Sequence, residues 1–140
     1  MKAKPADLNF DDIEIGGVYE FKKTFYKEDL DTFSLLSGDL NPLHLDEEYA
    51  GKTIFKKNVV FGMLSSSLFS ALVGMYCPGK KALYLSQTLN FRKPLFLETE
   101  ITVRGTVVEK NKNFKVIKIK TEILDQENIY VSGDAKVKIL

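Results

Sequence analysis

Hydrophobic and polar residues alternate through the second half of the chain, which is typical of half-buried β-strands. Four runs have this period of two, and short polar segments separate them at residues 93–94, 111–113 and 125–128. The last two separators are short enough for antiparallel hairpins. An earlier alternating run at residues 18–25 predicts one more strand, so we expect an antiparallel sheet of about five strands. The apolar positions of the four runs are Leu83, Leu85, Leu89 and Phe91; Ile101, Val103 and Val107; Ile117, Ile119 and Ile123; and Ile129, Val131, Ala135, Val137 and Ile139.

A short helix is predicted at residues 27–38, ahead of these runs. Leu30, Phe33 and Leu36 recur at helical spacing, and the segment ends on a glycine, which commonly follows the last turn of a helix. The sequence shows no convincing N-cap for this helix. Asp46 is a good N-cap for a second helix, because two glutamates follow it and favour the positive end of the helix dipole.

The most hydrophobic segment, residues 62–76, is predicted to form one long helix. Residues 58–79 carry no charge, which raises the possibility of a membrane span. Four serines, Gly74 and the Pro78-Gly79 pair argue instead for a helix inside a folded domain. Its apolar residues occupy nearly every face, as in a helix enclosed by its own protein. A buried helix wrapped by a curved antiparallel sheet is an α+β fold, and we predict that class.

Length and composition favour one domain of 140 residues, because 44% hydrophobic residues suffice for one core. The net charge is only +1, so no basic surface for nucleic acid is predicted. Residues 1–16 are polar and acidic, and we expect a loosely held lead-in without the apolar core of a signal peptide. The one cysteine, Cys77, cannot form an internal disulfide, so a cytoplasmic location is predicted. The sequence shows no set of histidines and cysteines that would hold a metal, and no metal site is predicted.

Asp39 and His44, the only histidine, are the strongest candidates for chemistry. Proline disfavours the α conformation in the residue before it, so Asn41-Pro42 predicts a short irregular loop in which the two side chains converge. A carboxylate and an imidazole held together can bind one water and move protons near neutral pH. A plainer interpretation is that Asp39 bonds its own turn and His44 satisfies a backbone carbonyl.

These two residues belong to a longer motif with fixed spacing. It consists of Phe33, Leu36, Ser37-Gly38-Asp39, Asn41-Pro42-Leu43-His44 and Ala50. The motif resembles, without a gap, the signature of the (R)-specific enoyl-CoA hydratases, the hydratase 2 branch of the MaoC-like hot-dog proteins. The resemblance begins at about residue 18 and continues, with weaker matches, to the end of the chain. It implies a single hot-dog domain over residues 1–140, which agrees with the fold predicted from the hydrophobic pattern.

The resemblance also implies an activity, the reversible hydration of trans-2-enoyl-CoA to (R)-3-hydroxyacyl-CoA. In the family, the residues at the positions of Asp39 and His44 activate a water. The backbone N–H at the position of Gly62 donates a hydrogen bond to the thioester oxygen, and a serine at the position of Ser70 lies close by. An unpaired N–H at a helix start can stabilise such an oxygen, although Gly62 is equally consistent with an ordinary helix start.

Three further residues are candidates for contact with the substrate. Asn41 is placed to orient the loop, or it is simply the turn residue before a proline. Val73 is a candidate for the acyl tunnel, although a residue on an all-apolar helix is core by default. Phe61 stands where most members of the resembled family have histidine, so an aromatic face replaces a polar contact beside the substrate carbonyl. We expect this difference to affect the reaction rate and the preferred acyl group more than the reaction class.

The implied substrate is a thioester of coenzyme A or of an acyl carrier protein, with no separate cofactor. The basic pairs at residues 56–57, 80–81 and 92–93 are candidates for its phosphates, or they are solvated loop charges. The resemblance implies a homodimer with the two sheets side by side. No nucleic-acid or membrane partner is predicted.

Other activities remain open at this point. One is a dehydratase specialised for an unusual hydroxyacyl group on either carrier. Another is a thioesterase, because fold alone does not choose between hydration and hydrolysis of thioesters. A third is a subunit that binds acyl thioesters without catalysis. An intact pair of acid and base argues against the last of these.

Overall fold

The computed structural model describes residues 2–140 and contains one antiparallel sheet of six strands. The strand order is β1-β4-β5-β6-β2, and the two-residue β3 also pairs with β6. The hot-dog architecture is therefore confirmed, with one strand more than expected. The strands are β1 (Val18–Thr24), β2 (Ala82–Gln87), β3 (Asn90–Phe91), β4 (Glu100–Asn111), β5 (Val116–Leu124) and β6 (Ile129–Ile139).

The extra strand arises because the run predicted over residues 83–91 divides into β2 and β3. A Cβ atom added to Gly133 of β6 would lie 1.8 Å from the carbonyl oxygen of Thr88, so the chain crosses β6 closely between the two strands. The register also shifts between Tyr84 and Ser86. As a result, the apolar residues of this run do not share a buried face: Leu83, Leu85 and Phe91 are 45%, 51% and 56% exposed.

The other three runs form two hairpins, as predicted. Asn111 pairs with Val116 where β4 turns into β5, and Leu124 pairs with Ile129 where β5 turns into β6. Ile129 is 40% exposed, because a register shift beside Leu124 takes it out of the pattern. The remaining predicted apolar positions on these three strands are buried: Ile101, Val103, Val107, Ile117, Ile119, Ile123, Val131, Ala135, Val137 and Ile139.

The predicted first helix is α1 (Lys27–Ser37), and Gly38 ends it in the left-handed conformation at φ 79°. The N-cap position is occupied by Tyr26, and a side chain from the first turn of α1 stabilises this helix start. The Asp29 carboxylate accepts a hydrogen bond of 2.9 Å from the backbone N–H of Tyr26. Two short helices follow, α2 (Pro42–Leu45) and α3 (Glu47–Gly51).

The long buried helix is present but not continuous. It consists of α4 (Gly62–Ser66), α5 (Leu68–Ala71) and a π-helical segment, Leu72–Tyr76. Ser67 interrupts it, and its hydroxyl donates a 2.6 Å hydrogen bond to the carbonyl oxygen of Leu64. Back-bonding of this kind competes with the helical ladder and bends helices.

The lead-in is held more firmly than the sequence predicts, although residue 1 lies outside the described residues. Ile13 is 0% exposed and Phe10 is 7% exposed, and both pack into one of the two core clusters. The backbone of Ala6 donates to the carbonyl of Met75 and accepts from the N–H of Lys80. The expectation of a loose segment was wrong, because two apolar residues in a polar stretch anchor it.

The two core clusters lie on the same side of the sheet. One cluster contains Phe69 and Leu72 of the long helix. The other contains Val73, in the last segment of that helix, and Cys77, which follows it. Within residues 2–140, we find no helix with the length and hydropathy needed to cross a bilayer.

Candidate functional site

A cavity of about 430 Å³ lies beside the start of α4. Four of the residues singled out from the sequence line it together: Asp39, His44, Phe61 and Gly62. The structure therefore brings the carboxylate, the imidazole and the helix start to one place, although His44 and Gly62 are far apart in sequence.

The segment that carries Asp39 and His44 is more regular than predicted. Pro42 does not prevent a helix but begins α2, because a proline in the first helical position lacks only an N–H that has no helical partner. The side-chain oxygen of Asn41 caps α2 by accepting a 3.0 Å hydrogen bond from the N–H of Leu43. The prediction of an irregular loop was wrong in this respect. The predicted N-cap Asp46 is confirmed, and it accepts from the N–H of Tyr49 at 3.0 Å.

Asp39 lies at the exposed edge of the cavity, one residue after the glycine that ends α1. Its backbone N–H donates to the hydroxyl of Ser37 at 3.1 Å, and its Oδ1 accepts from the N–H of Asn41 at 3.0 Å. One carboxylate oxygen thus holds the turn, as the plainer interpretation of the sequence supposed. The second oxygen, Oδ2, is left for contacts in the cavity.

His44 is half-buried on α2, and its ring is fixed from two directions. Its Nδ1 lies 2.5 Å from the carbonyl oxygen of Val59. A carbonyl oxygen only accepts hydrogen bonds, so Nδ1 carries the proton, and Nε2 of the neutral ring has a free lone pair. The imidazole also stacks on the ring of Phe61, with a centroid distance of 4.0 Å and an interplanar angle of 27°.

Phe61 and Gly62 lie where an extended segment becomes α4. The N–H of Val60 donates to the carbonyl of Leu95 at 2.8 Å and anchors this segment. Gly62 is the first residue of α4, so its N–H has no acceptor within the helix. A Cβ atom at Gly62 would lie 2.7 Å from the ring of Phe91, so a larger residue here would require that exposed ring to move.

Three predicted substrate contacts lie away from this cavity. Asn41 is exposed and caps α2, and Ser70 is exposed on α5. Val73 is 1% exposed and belongs to the core cluster around Cys77. Among the described residues that line the cavity, none of these three appears.

Three lining residues were not identified from the sequence as part of this site: Tyr130 was not singled out, and Arg92 and Lys93 were noted only as a basic pair. Tyr130 is 7% exposed, and its hydroxyl donates to the Asp125 carboxylate. Burial raises the pKa of Tyr130, and the hydrogen bond from its hydroxyl lowers the pKa of Asp125. Tyr130 lies opposite the register shift between β5 and β6 and is buried together with its neighbour Val131, so the alternating pattern of the sequence did not single it out. Arg92 and Lys93 also line the cavity.

The single cysteine is not arranged as a nucleophile. Cys77 is 1% exposed, and burial raises the pKa of its thiol to about 11. A reactive cysteine requires a lowered pKa, so a core role follows. No cluster of three or more potential metal ligands occurs within residues 2–140.

The family model described as a MaoC-like domain matches residues 12–128. The chain belongs to the MaoC-like family. This MaoC-like chain is 38% identical over 128 residues to the (R)-specific enoyl-CoA hydratase of Aeromonas caviae, covering 91% of the chain and 96% of that relative. The family recognised from the motif around Asp39 and His44 is therefore confirmed.

Two further relatives of the MaoC-like chain bear on its chemistry. It is 34% identical over 127 residues to a mitochondrial 3-hydroxyacyl-[acyl-carrier-protein] dehydratase of Arabidopsis thaliana, covering 88% of the chain and 75% of that protein. The unliganded R-hydratase PhaJ1 from Pseudomonas aeruginosa superimposes with a TM-score of 0.90 at 34% identity, covering 95% of the chain and 86% of that structure.

Proposed function

We propose that this protein catalyses the reversible hydration of a trans-2-enoyl thioester to the (R)-3-hydroxyacyl thioester. The observation that carries the proposal is that Asp39, the start of α4 and a His44 ring whose Nδ1 contacts the Val59 carbonyl all line one cavity. The relatives named as hydratases and dehydratases support the same reaction class.

In the proposed mechanism, His44 is the base. As the oxygen of water bonds to the β carbon of the enoyl group, Nε2 takes one of its protons, and negative charge moves to the thioester oxygen. The imidazolium then returns that proton to the α carbon. Asp39 Oδ2 accepts a hydrogen bond from the other water hydrogen, which stays on the product hydroxyl, and its charge stabilises the imidazolium.

Water and the thioester balance this reaction completely, so coenzyme A acts as part of the substrate and no separate cofactor is required. Both new bonds form on the face of the substrate that meets His44, which accounts for a single stereochemical outcome. In this mechanism the Gly62 N–H donates a hydrogen bond to the developing oxyanion, and a donor of this kind is typically worth about 10² to 10³ in rate.

The test follows the ultraviolet absorbance of crotonyl-CoA, which falls when the conjugated double bond is hydrated. We expect turnover by the wild-type protein, an (R)-3-hydroxy product by chiral analysis, and losses of about 10² to 10⁴ in kcat for His44→Ala and Asp39→Asn. Asparagine keeps an oxygen that can accept from the N–H of Asn41, so the second variant preserves the turn. Steady absorbance with several enoyl chain lengths, or release of free thiol, would contradict the proposal.

The carrier is recognised through Arg92 and Lys93. The Nε of Arg92 donates to the Ser132 hydroxyl at 2.6 Å, and Nζ of Lys93 donates to Asn128 at 2.7 Å, so both cations are held at the cavity. We expect Arg92→Ala to raise KM for crotonyl-CoA but not for a crotonyl thioester of N-acetylcysteamine, which has no phosphate. Equal effects on both thioesters would rule out a phosphate contact.

A homodimer completes the proposal. Strand β2 lies at one edge of the sheet, and it exposes 45% of Leu83 and 51% of Leu85. An open apolar edge of this kind is a liability unless another chain covers it. Sedimentation of the wild-type protein should give a dimer, and Leu83→Glu with Leu85→Glu should give a monomer. A wild-type monomer at micromolar concentration would contradict this part of the proposal.

A further inference from the structure

The orientation of His44 depends on more than its hydrogen bond. The contact between Nδ1 and the Val59 carbonyl holds one edge of the ring, but a hydrogen bond tolerates a broad range of angles, so small rotations of the side chain can still tilt the ring plane. The position of Nε2, which the proposed mechanism uses, is therefore not determined by this hydrogen bond alone. A contact with the face of the ring is needed to fix it.

Phe61 supplies that contact. Its ring stacks on the imidazole at a centroid distance of 4.0 Å and an angle of 27°, so the two faces are in direct contact. Phe61 is itself immobilised, because it is 2% exposed and packs on the ring of Phe33 at 4.8 Å and 58°. The imidazole thus rests on a surface that cannot easily move.

The same short segment also carries the other half of the site. Val59 provides the acceptor for Nδ1, Phe61 provides the face under the imidazole, and Gly62 provides the N–H at the helix start. We propose that Phe61 is a positioning residue, which holds Nε2 of His44 in fixed register with the Gly62 N–H. This inference rests on the proposed hydration reaction, and it goes beyond that reaction by giving a role to a residue that touches the base.

The competing role for Phe61 is a wall of the acyl pocket, since its ring also lines the cavity. The two roles predict different kinetics. A wall residue changes the affinity for substrate, whereas a positioning residue changes the rate once substrate is bound. A displacement of about 1 Å at a reacting group can cost about 10² in rate.

The test compares Phe61→Leu with Phe69→Leu. Both phenylalanines are buried in the same core cluster, at 2% and 1% exposure, but only Phe61 touches His44. We expect Phe61→Leu to lower kcat by about 10-fold to 100-fold with KM within about twofold, and Phe69→Leu to leave kcat unchanged in folded protein. Phe61→His, which keeps a planar ring against the imidazole, should retain most of the wild-type rate.

Nuclear magnetic resonance provides a second measurement that does not depend on turnover. His44 is the only histidine, so its ring signals are unambiguous in both leucine variants. The Phe61 ring current should shift the imidazole protons upfield in the wild type and in Phe69→Leu, and the shift should disappear in Phe61→Leu. If the wild type hydrates no thioester, the proposed function fails, and the ring shifts still decide whether Phe61 stacks on His44.

Three results would overturn the inference. One is an increase in KM for Phe61→Leu with kcat unchanged, which would make the residue a pocket wall. Another is an equal loss of kcat in both leucine variants, which would indicate general destabilisation. The third is a set of His44 ring shifts that is the same in Phe61→Leu as in the wild type.

Discussion

The Nδ1 atom of His44 lies 2.5 Å from the carbonyl oxygen of Val59, and this contact selects the tautomer of the only histidine. The acceptor comes from the backbone, so a side-chain substitution at residue 59 leaves it in place. The imidazole of His44 is therefore oriented by the extended segment that leads into α4.

This contact predicts the state of the ring directly. Nitrogen-15 spectra of the imidazole at a pH where it is neutral should show the proton on Nδ1 and a free lone pair on Nε2. Val59→Ala should keep this tautomer because the carbonyl remains. A neutral ring with its proton on Nε2 would contradict both the contact and the assignment of His44 as base.

Substitution by alanine should affect stability differently at Gly133, which lies against backbone, and at Gly62, which lies against a side chain. At Gly133 the new Cβ would lie 1.8 Å from the Thr88 carbonyl oxygen, whereas at Gly62 it would meet the ring of Phe91, which is 56% exposed and can swing aside. We expect Gly133→Ala to lower the free energy of unfolding by about 1–3 kcal/mol or more, the usual effect of overpacking.

Gly62→Ala should lower the free energy of unfolding by less than Gly133→Ala. It should reduce hydration of crotonyl-CoA, because both the new methyl group and the displaced Phe91 ring lie at the cavity. Denaturant titration of the two variants side by side makes the comparison. Equal losses of stability would show that the packing at Gly62 is as rigid as the backbone contact at Gly133.

The anchored lead-in makes a prediction about two nearby isoleucines. Ile13 is 0% exposed and Ile15 is 64% exposed. Ile13→Ala should lower the free energy of unfolding by about 2–5 kcal/mol, because it leaves a cavity in the core. Ile15→Ala should change it by no more than about 0.5 kcal/mol. Similar small effects in thermal or chemical unfolding would mean that the lead-in is loosely held after all.

Cys77 should be unreactive in the folded protein. Burial raises the pKa of its thiol to about 11, so little thiolate forms at pH 8. An aromatic disulfide reagent should label it slowly under native conditions and at once in denaturant. The raised pKa also means that this group stabilises the fold fully below pH 9, and that its contribution is lost as pH rises from 9 towards 11. Rapid labelling of native protein at pH 8 would contradict this.

Much of the sheet could be predicted from the sequence. The alternation of β4, β5 and β6 predicts their buried face correctly except at Ile129, because hairpins with short turns keep neighbouring strands largely in register. The run at residues 83–91 was misread, because its division depends on the close approach of Thr88 to Gly133, 45 positions further along the chain. A contact over that distance leaves no local pattern.

The candidate site shows the same division. The motif from Phe33 to Ala50 identified Asp39 and His44 and the family, because spacing within a short segment survives into the structure. It did not reveal which nitrogen of His44 carries the proton, since the acceptor belongs to Val59, or that Phe61 supports the ring. Ser70, a candidate from the family resemblance, and Val73, a candidate for the acyl tunnel, both lie outside the cavity, and their places in the folded helix could not be read from the sequence.

The sequence by itself determined the fold class and the family, and it singled out Asp39 and His44 as the candidate pair, because each of these rests on local periodicity or fixed spacing. The tertiary structure decided the tautomer of His44, the stacking of Phe61, the anchoring of Ile13 and the outline of the cavity. Each of these depends on which distant segments touch, and the free energy of packing sets those contacts only when the whole chain has folded.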